Sequence, residues 1–456
     1  MSVPVQTDLR LAWQLTRGSD RRERWRIALT AAGAALATGL ALPAAALASL
    51  QGGYAIPVAH GLLDEPGTRS GVIVGLLLLL VPVLGFLGQC TRIGAVHRDR
   101  RLAGLRLAGA APWQVRRIAA LETGLACLLG SAVATVGAVL FLLRLWSRPT
   151  ALAWAGIALV AVGVPVLGAA AGALALRRVV ASPLGWVRRT HPRTGRGPGL
   201  LFLGALLLVA VAAPAAVTAT AAGSGGRNHW QGPLTVFGLV LAVGAGAVWL
   251  AGATARRTGR LLARRARTAA VLIAAERLRD DPWAAARTHA AVLLVTVAGT
   301  GFAGIRQALL ADLRGKQYPA ADMAYYTTGL NLAGGAVLVA LAVTLSGLAV
   351  GTAESLATRR RTLATQATAG VPRAVLNRAL LLETALPLAP ALLLAGTGGM
   401  AVGVWYGTLT ADGAAFAVPY GALLVPPAVY ACSLLAAATA LPLLRRTAGP
   451  AELRYA

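Results

Sequence analysis

Acidic residues are scarce in this chain. Sixteen Asp and Glu face 43 Lys and Arg, the formal net charge is +27, and charged residues of both signs fill only 13% of 456 positions. That is too little polar surface for a water-soluble fold of this length. Cysteine is nearly missing too. Cys90, Cys127 and Cys432 are scattered in or beside apolar runs, which excludes a disulfide framework or a metal motif and leaves small buried hydrophobes. The chain contains neither Gly-x-x-x-x-Gly-Lys-Ser/Thr nor His-Glu-x-x-His, so it brings no phosphate loop and no zinc-protease helix of its own. His60, His97, His191, His229 and His289 are dispersed in loops or at the edges of apolar runs. The chain by itself is therefore expected to be no enzyme and to bind no cofactor or metal.

What is present is apolar. Hydrophobic residues make up 57% of the chain and the mean hydropathy is +0.67. The runs are continuous rather than alternating, which favours spanning helices over a closed barrel. Ten spans of about 20 residues or more, enough to cross roughly 30 Å of hydrocarbon, lie near 27–49, 71–90, 118–143, 151–175, 199–222, 234–254, 287–306, 332–352, 379–404 and 418–441. The outside loops are short, the longest being about 50–70 and 307–331.

Arginine sets the orientation. With the N terminus inside, the cytoplasmic segments hold 36 of the 43 basic residues and the outside segments seven. Such a split obeys the positive-inside rule. It explains the net charge without a nucleic-acid partner and places both termini in the cytoplasm of a plasma-membrane protein. Residues 1–26 and 271–288 read as interfacial helices, each standing just before an apolar run.

One stretch occurs twice. A shift of 261 positions lays Arg98 on Arg359, Arg100 on Arg361, Leu102 on Leu363, Ala108 on Ala369, Gly109 on Gly370, Arg117 on Arg378, and Leu121-Glu122-Thr123 on Leu382-Glu383-Thr384. Such a register across apolar flanks indicates an internal repeat. The fold expected is an all-α polytopic membrane protein with about ten transmembrane helices. Two parallel four-helix repeats, 1–178 and 271–456, are joined by two linking helices in 179–270. Each copy of the stretch reads as a short basic helix, a glycine turn and a second helix entering the membrane. Cytoplasmic placement alone explains the arginines but not the matched glycines or the shared Leu-Glu-Thr.

Ionisable groups inside spans are the usual functional suspects, and here they are nearly missing. Glu122 and Glu383 come closest, about one turn inside the third and ninth spans. A structural account places each near a helix N-terminus or beside Arg117 or Arg378. A functional account makes each a conformational latch. The scarcity of mid-membrane charge argues against ion-driven transport, so the energy source is expected in a partner.

At these residues the chain resembles the FtsX-like permease family, the membrane subunits of MacB-type (type VII) ABC transporters. The resemblance rests on Arg100-Arg101-Leu102, Leu107-Ala108-Gly109-Ala110 and Leu121-Glu122, and again on Arg359-Arg360-Arg361, Ala369-Gly370-Val371 and Leu382-Glu383. Thr365 and Thr368 stand where the family often has leucine, and the acidic residue common after the first arginines is missing in both copies. The resemblance implies a permease on a P-loop ABC ATPase homodimer, which would hold the ATP and magnesium. The coupling contacts it implies are Arg100, Arg101, Leu105, Leu107, Gly109 and Pro112, then Arg360, Arg361, Ala369, Gly370 and Pro372. It also implies a hydrophobic or amphipathic substrate, an antimicrobial peptide or a membrane lipid, exported or extracted. Control of an extracytoplasmic hydrolase or sensor kinase is the second expectation, and ATP-independent transport the third.

Overall fold

A backbone that crosses lipid must satisfy its own hydrogen bonds, and the continuous apolar runs here do so as helices. The computed structural model describes residues 21–54, 56, 61–90, 104, 107–146, 148–175, 231–315, 320–410 and 418–442. The helices in order are α1 (Arg21–Ala48), α2 (Pro66–Cys90), α3 (Pro112–Leu145), α4 (Ala151–Ala175), α5 (Gln231–Arg265), α6 (Ala269–Asp280), α7 (Pro282–Gly315), α8 (Ala320–Thr358), α9 (Arg360–Thr368), α10 (Arg373–Thr410) and α11 (Val425–Ala438), the last preceded by a 3-10 turn at Tyr420–Leu424. Nine helices among the described residues are long and apolar enough to cross a membrane. They match nine of the expected spans. The fifth, 199–222, lies outside the described residues, as does most of the expected interfacial helix at 1–26.

Several boundaries differ from expectation. The segment 307–331, expected to be an outside loop, is mostly helix among its described residues, because α7 continues to Gly315 and α8 begins at Ala320. Leu313 is buried there, so an apolar position recurring among the charges holds the helix together. The second interfacial helix stops at Asp280 rather than at 288. Pro282 follows, and it lacks an amide donor and disfavours helical geometry in the residue before it. The sixth span runs on to Arg265, because Ala, Leu and Arg in that extension are strong helix formers.

The chain forms two compact units. The first comprises Met1–Gly52 and Val83–Gly195, the second Gly53–Pro82 and Arg196–Ala456. α5 buries Val240, Ala247 and Ala251 in the core of the second unit.

In the first unit α1 packs against α3 and α4. Small residues set the spacing. A β-carbon built at Gly130 of α3 would collide with the backbone of Ala31 on α1, and one at Gly156 of α4 would meet Ala45 at 3.2 Å. Thr38 donates to Ser131 at 3.1 Å, and Ser131 donates to the carbonyl of Ala161 at 3.2 Å, so a buried chain of hydroxyls links the three helices. Close approach and such bonds are what drive association in lipid, where no hydrophobic force acts between helices. Gly130→Leu is therefore expected to destabilise the unit by about 1–3 kcal/mol of overpacking. The measurement is thermal unfolding of the purified chain in detergent. Gly137→Leu, on the same helix with open space around it, is the control expected to leave the transition in place.

In the second unit α5, α7 and α10 surround a core of Val292, Leu293, Val297, Leu388, Ala391 and Ala395. α7 and α10 cross where Gly304 faces Gly403: a β-carbon on the first would lie 2.9 Å from the Cα of the second. The segment before α2 is tied down by Arg69, which is only 2% exposed. Its guanidinium donates to the carbonyls of Leu63 at 3.0 Å and Asp64 at 2.9 Å and lies over the Tyr54 ring.

Candidate functional site

Gly370 punctuates the second copy of the repeated stretch. α9 is a short helix whose Leu363 and Ala364 are buried while Thr365, Thr368 and Ala369 face outward. Leu363 packs in a cluster with Leu356, Leu376, Leu380 and Ala440. The helix ends with Gly370 at φ 86°. Its amide donates to the carbonyl of Ala367 at 3.1 Å, and the amide of Val371 donates to Gln366 at 3.1 Å. These two bonds make a Schellman cap, the left-handed stop that satisfies the last carbonyls of a helix. Val371 then folds back onto the Leu363 cluster, and Pro372 leads into α10. A left-handed residue is open to glycine and costly for others. Nothing lies within 4 Å of a β-carbon built on Gly370, so conformation and not space requires glycine here.

Gly109 sits in the same conformation, at φ 96°, and likewise has open surroundings. The amide of Ala108 donates to the carbonyl of Gly104 at 2.9 Å, a helical turn that ends at the glycine. Pro112 opens α3, where its missing donor costs nothing. The amide of Ala111 donates to the side chain of Gln114 at 2.8 Å. Leu107 is 69% exposed and Trp113 48% exposed, with the Arg117 guanidinium over the Trp113 ring at 4.7 Å. Arg100, Arg101 and Leu105 lie outside the described residues, and Arg360 is half-buried.

The two carboxylates stand deeper than their sequence context implies. α3 starts at Pro112 and α10 at Arg373, so Glu122 and Glu383 are each nearly three turns into their helix. The dipole of a helix end fades within its first turn, so it does not hold either carboxylate. Their partners come from other elements. Arg26 of α1 bonds Glu122 of α3, and both are almost fully buried, at 5% and 2% exposure. Glu383 takes two arginines: Arg277 of α6 at 3.1 Å and Arg359, at the junction of α8 and α9, at 2.7 Å. Arg378 is exposed. Arg26 and Arg277 were missed from the sequence. Arg359 was visible as part of the repeat, though not as the ligand of Glu383.

Each unit thus holds a glycine-stopped turn at the entrance of a long helix and a carboxylate inside that helix, clamped by arginine from a neighbouring element. Residues 71–184 match the family model described as FtsX-like permease C-terminal. The match covers about a quarter of the chain; it supports an FtsX-like assignment and, with nine candidate spans among the described residues, points to a multi-pass membrane protein of the permease type. The match takes in Gly109 and Glu122, whereas Gly370 and Glu383 fall beyond it. No curated protein and no solved structure gives a significant match to the chain.

Proposed function

We propose that the chain is the permease subunit of an ATP-driven transporter whose hydrolysis occurs in a separate P-loop ATPase dimer. Its cargo is a hydrophobic or amphipathic molecule, a membrane-active peptide or a lipid, exported or drawn from the bilayer. The observation that carries this reading is the glycine-stopped turn with its arginine-held carboxylate, present once in each unit. A short helix that ends in a rigid turn and abuts a spanning helix can transmit a push. The exposed Leu107 and Trp113, and the outward Thr365 and Thr368, supply the surfaces on which the ATPases would bear. Force on α9 reaches α10 by two routes: through the Leu363 cluster and through the Arg359–Glu383 bond. In this reading both termini are cytoplasmic, the site of action is the cell membrane, and ATP and magnesium belong to the partner.

Affinity purification of the full chain from its native host is expected to retain a P-loop ATPase. The reconstituted complex is expected to hydrolyse ATP faster when an amphipathic peptide or lipid substrate is added. Recovery of the chain with no ATPase, under conditions that preserve other membrane complexes, would overturn the proposal.

A further inference from the structure

α5 does not stop where its apolar run ends. The run closes at Ala255, and the helix continues through Arg256, Arg257, Arg260, Arg264 and Arg265 before turning at Ala266–Thr268 into α6. At 1.5 Å per residue, Arg260 stands about 7–8 Å beyond the last apolar residue, within the headgroup layer of a bilayer. α6 packs back along this extension at Gly259, where a β-carbon would lie 3.0 Å from the carbonyl oxygen of Ala275. Between the two helices lies a cleft of about 370 Å³ lined by Arg260, Ala263, Arg264, Glu276 and Arg279.

The charges in this cleft do not cancel. Glu276 already accepts from Arg279, at 3.2 Å and 3.3 Å through its two oxygens. Among the described residues no carboxylate pairs with Arg260 or Arg264, both of which are exposed. One turn nearer the core, Nη2 of Arg256 is buried with no hydrogen-bond partner among the described residues. Two apolar side chains flank the basic face, Leu261 at 57% exposure and Leu272 at 44%. Guanidinium groups at headgroup depth, beside leucines open to the acyl boundary, match one chemistry: a phosphate that carries its own hydrocarbon tails. We propose that this cleft binds the phosphate of an anionic phospholipid from the leaflet it faces. The site needs no ATPase and rests only on the basic end of α5 lying at the membrane surface.

The test uses the full chain in a neutral detergent, titrated with phosphatidylglycerol and, separately, with phosphatidylcholine. Bound lipid is counted by native mass spectrometry. Phosphatidylglycerol is expected to bind and phosphatidylcholine to fail at the same concentration. R260Q/R264Q is expected to weaken phosphatidylglycerol binding about thirty-fold, the loss of two guanidinium contacts at a membrane surface. R265Q/R267Q removes as much charge outside the cleft and is expected to bind as the wild type does. Ala263→Glu, which keeps every arginine but puts a carboxylate in the cleft, is expected to bind as poorly as R260Q/R264Q. Equal losses in R260Q/R264Q and R265Q/R267Q would reduce the effect to diffuse charge and overturn the site. Full occupancy by inorganic phosphate or glycerol phosphate, at concentrations where phosphatidylglycerol saturates, would overturn the lipid as its source.

Discussion

Under the proposed function, Gly370→Val is expected to leave the chain inserted in the membrane and the partner ATPase active, while transport falls to a small fraction of the wild-type rate. A β-branched residue held at φ 86° carries strain of about 1–3 kcal/mol. Relief requires the Schellman bonds of Gly370 to Ala367 and Val371 to Gln366 to open. Once they open, Val371 leaves the Leu363 cluster and α9 no longer has a fixed angle to α10. A push on α9 is then absorbed in the turn. The measurement is the ratio of substrate moved to ATP hydrolysed in proteoliposomes. Three variants separate this account from general damage. Gly109→Val should act in the same direction, since its glycine has φ 96° and the same open surroundings. Gly370→Asn should retain most of the coupling, because asparagine tolerates the left-handed region. Gly104→Ala, at an equally open glycine in helical geometry, should be silent. Full coupling in both valine variants would remove the glycine turns from the mechanism.

These glycines were legible in the sequence because a register links them. A single glycine before a proline is ordinary turn chemistry. Two of them at one offset, each followed by Leu-Glu-Thr, ask for a shared conformation, and both have positive φ. The spans were legible because lipid demands about 20 apolar residues at a stretch. The helical extension around Leu313 was hidden, since Asp312, Arg314 and Lys316 make that segment look like an exposed loop. The partners of the carboxylates were hidden for a different reason. Arg26 is 96 residues from Glu122, and Arg277 is 106 from Glu383. Arg117 and Arg378, each five residues before its carboxylate, were expected on nearness in sequence alone, and no spacing along one helix reveals an arginine on another element.

The two carboxylates are expected to differ sharply when removed, although they occupy matching places in the repeat. Glu122→Ala leaves Arg26 buried at 5% exposure without this counter-charge. Breaking a buried pair from one side costs about 3–5 kcal/mol, so this variant is expected to lose most of its folded yield in detergent. R26M/E122L, which removes both charges and keeps apolar volume, should be more stable than Glu122→Ala, because it leaves no buried Arg26 charge behind. At Glu383 the surroundings are wetter: the carboxylate is 20% exposed, Arg277 16% and Arg359 37%. Water can take over part of the bonding of a partly exposed guanidinium, so this cluster is expected to cost less to break than the Arg26–Glu122 pair. Glu383→Ala should therefore fold and insert, and its defect should appear in coupling instead. A tie that is weak enough to break and reform suits a moving junction between α9 and α10, while the Arg26–Glu122 tie suits a fixed anchor between α1 and α3. Equal loss of folded yield in Glu122→Ala and Glu383→Ala would erase this division, and recovery of coupling in Glu383→Asp would place the negative charge, rather than the length of its side chain, at the working point of the junction.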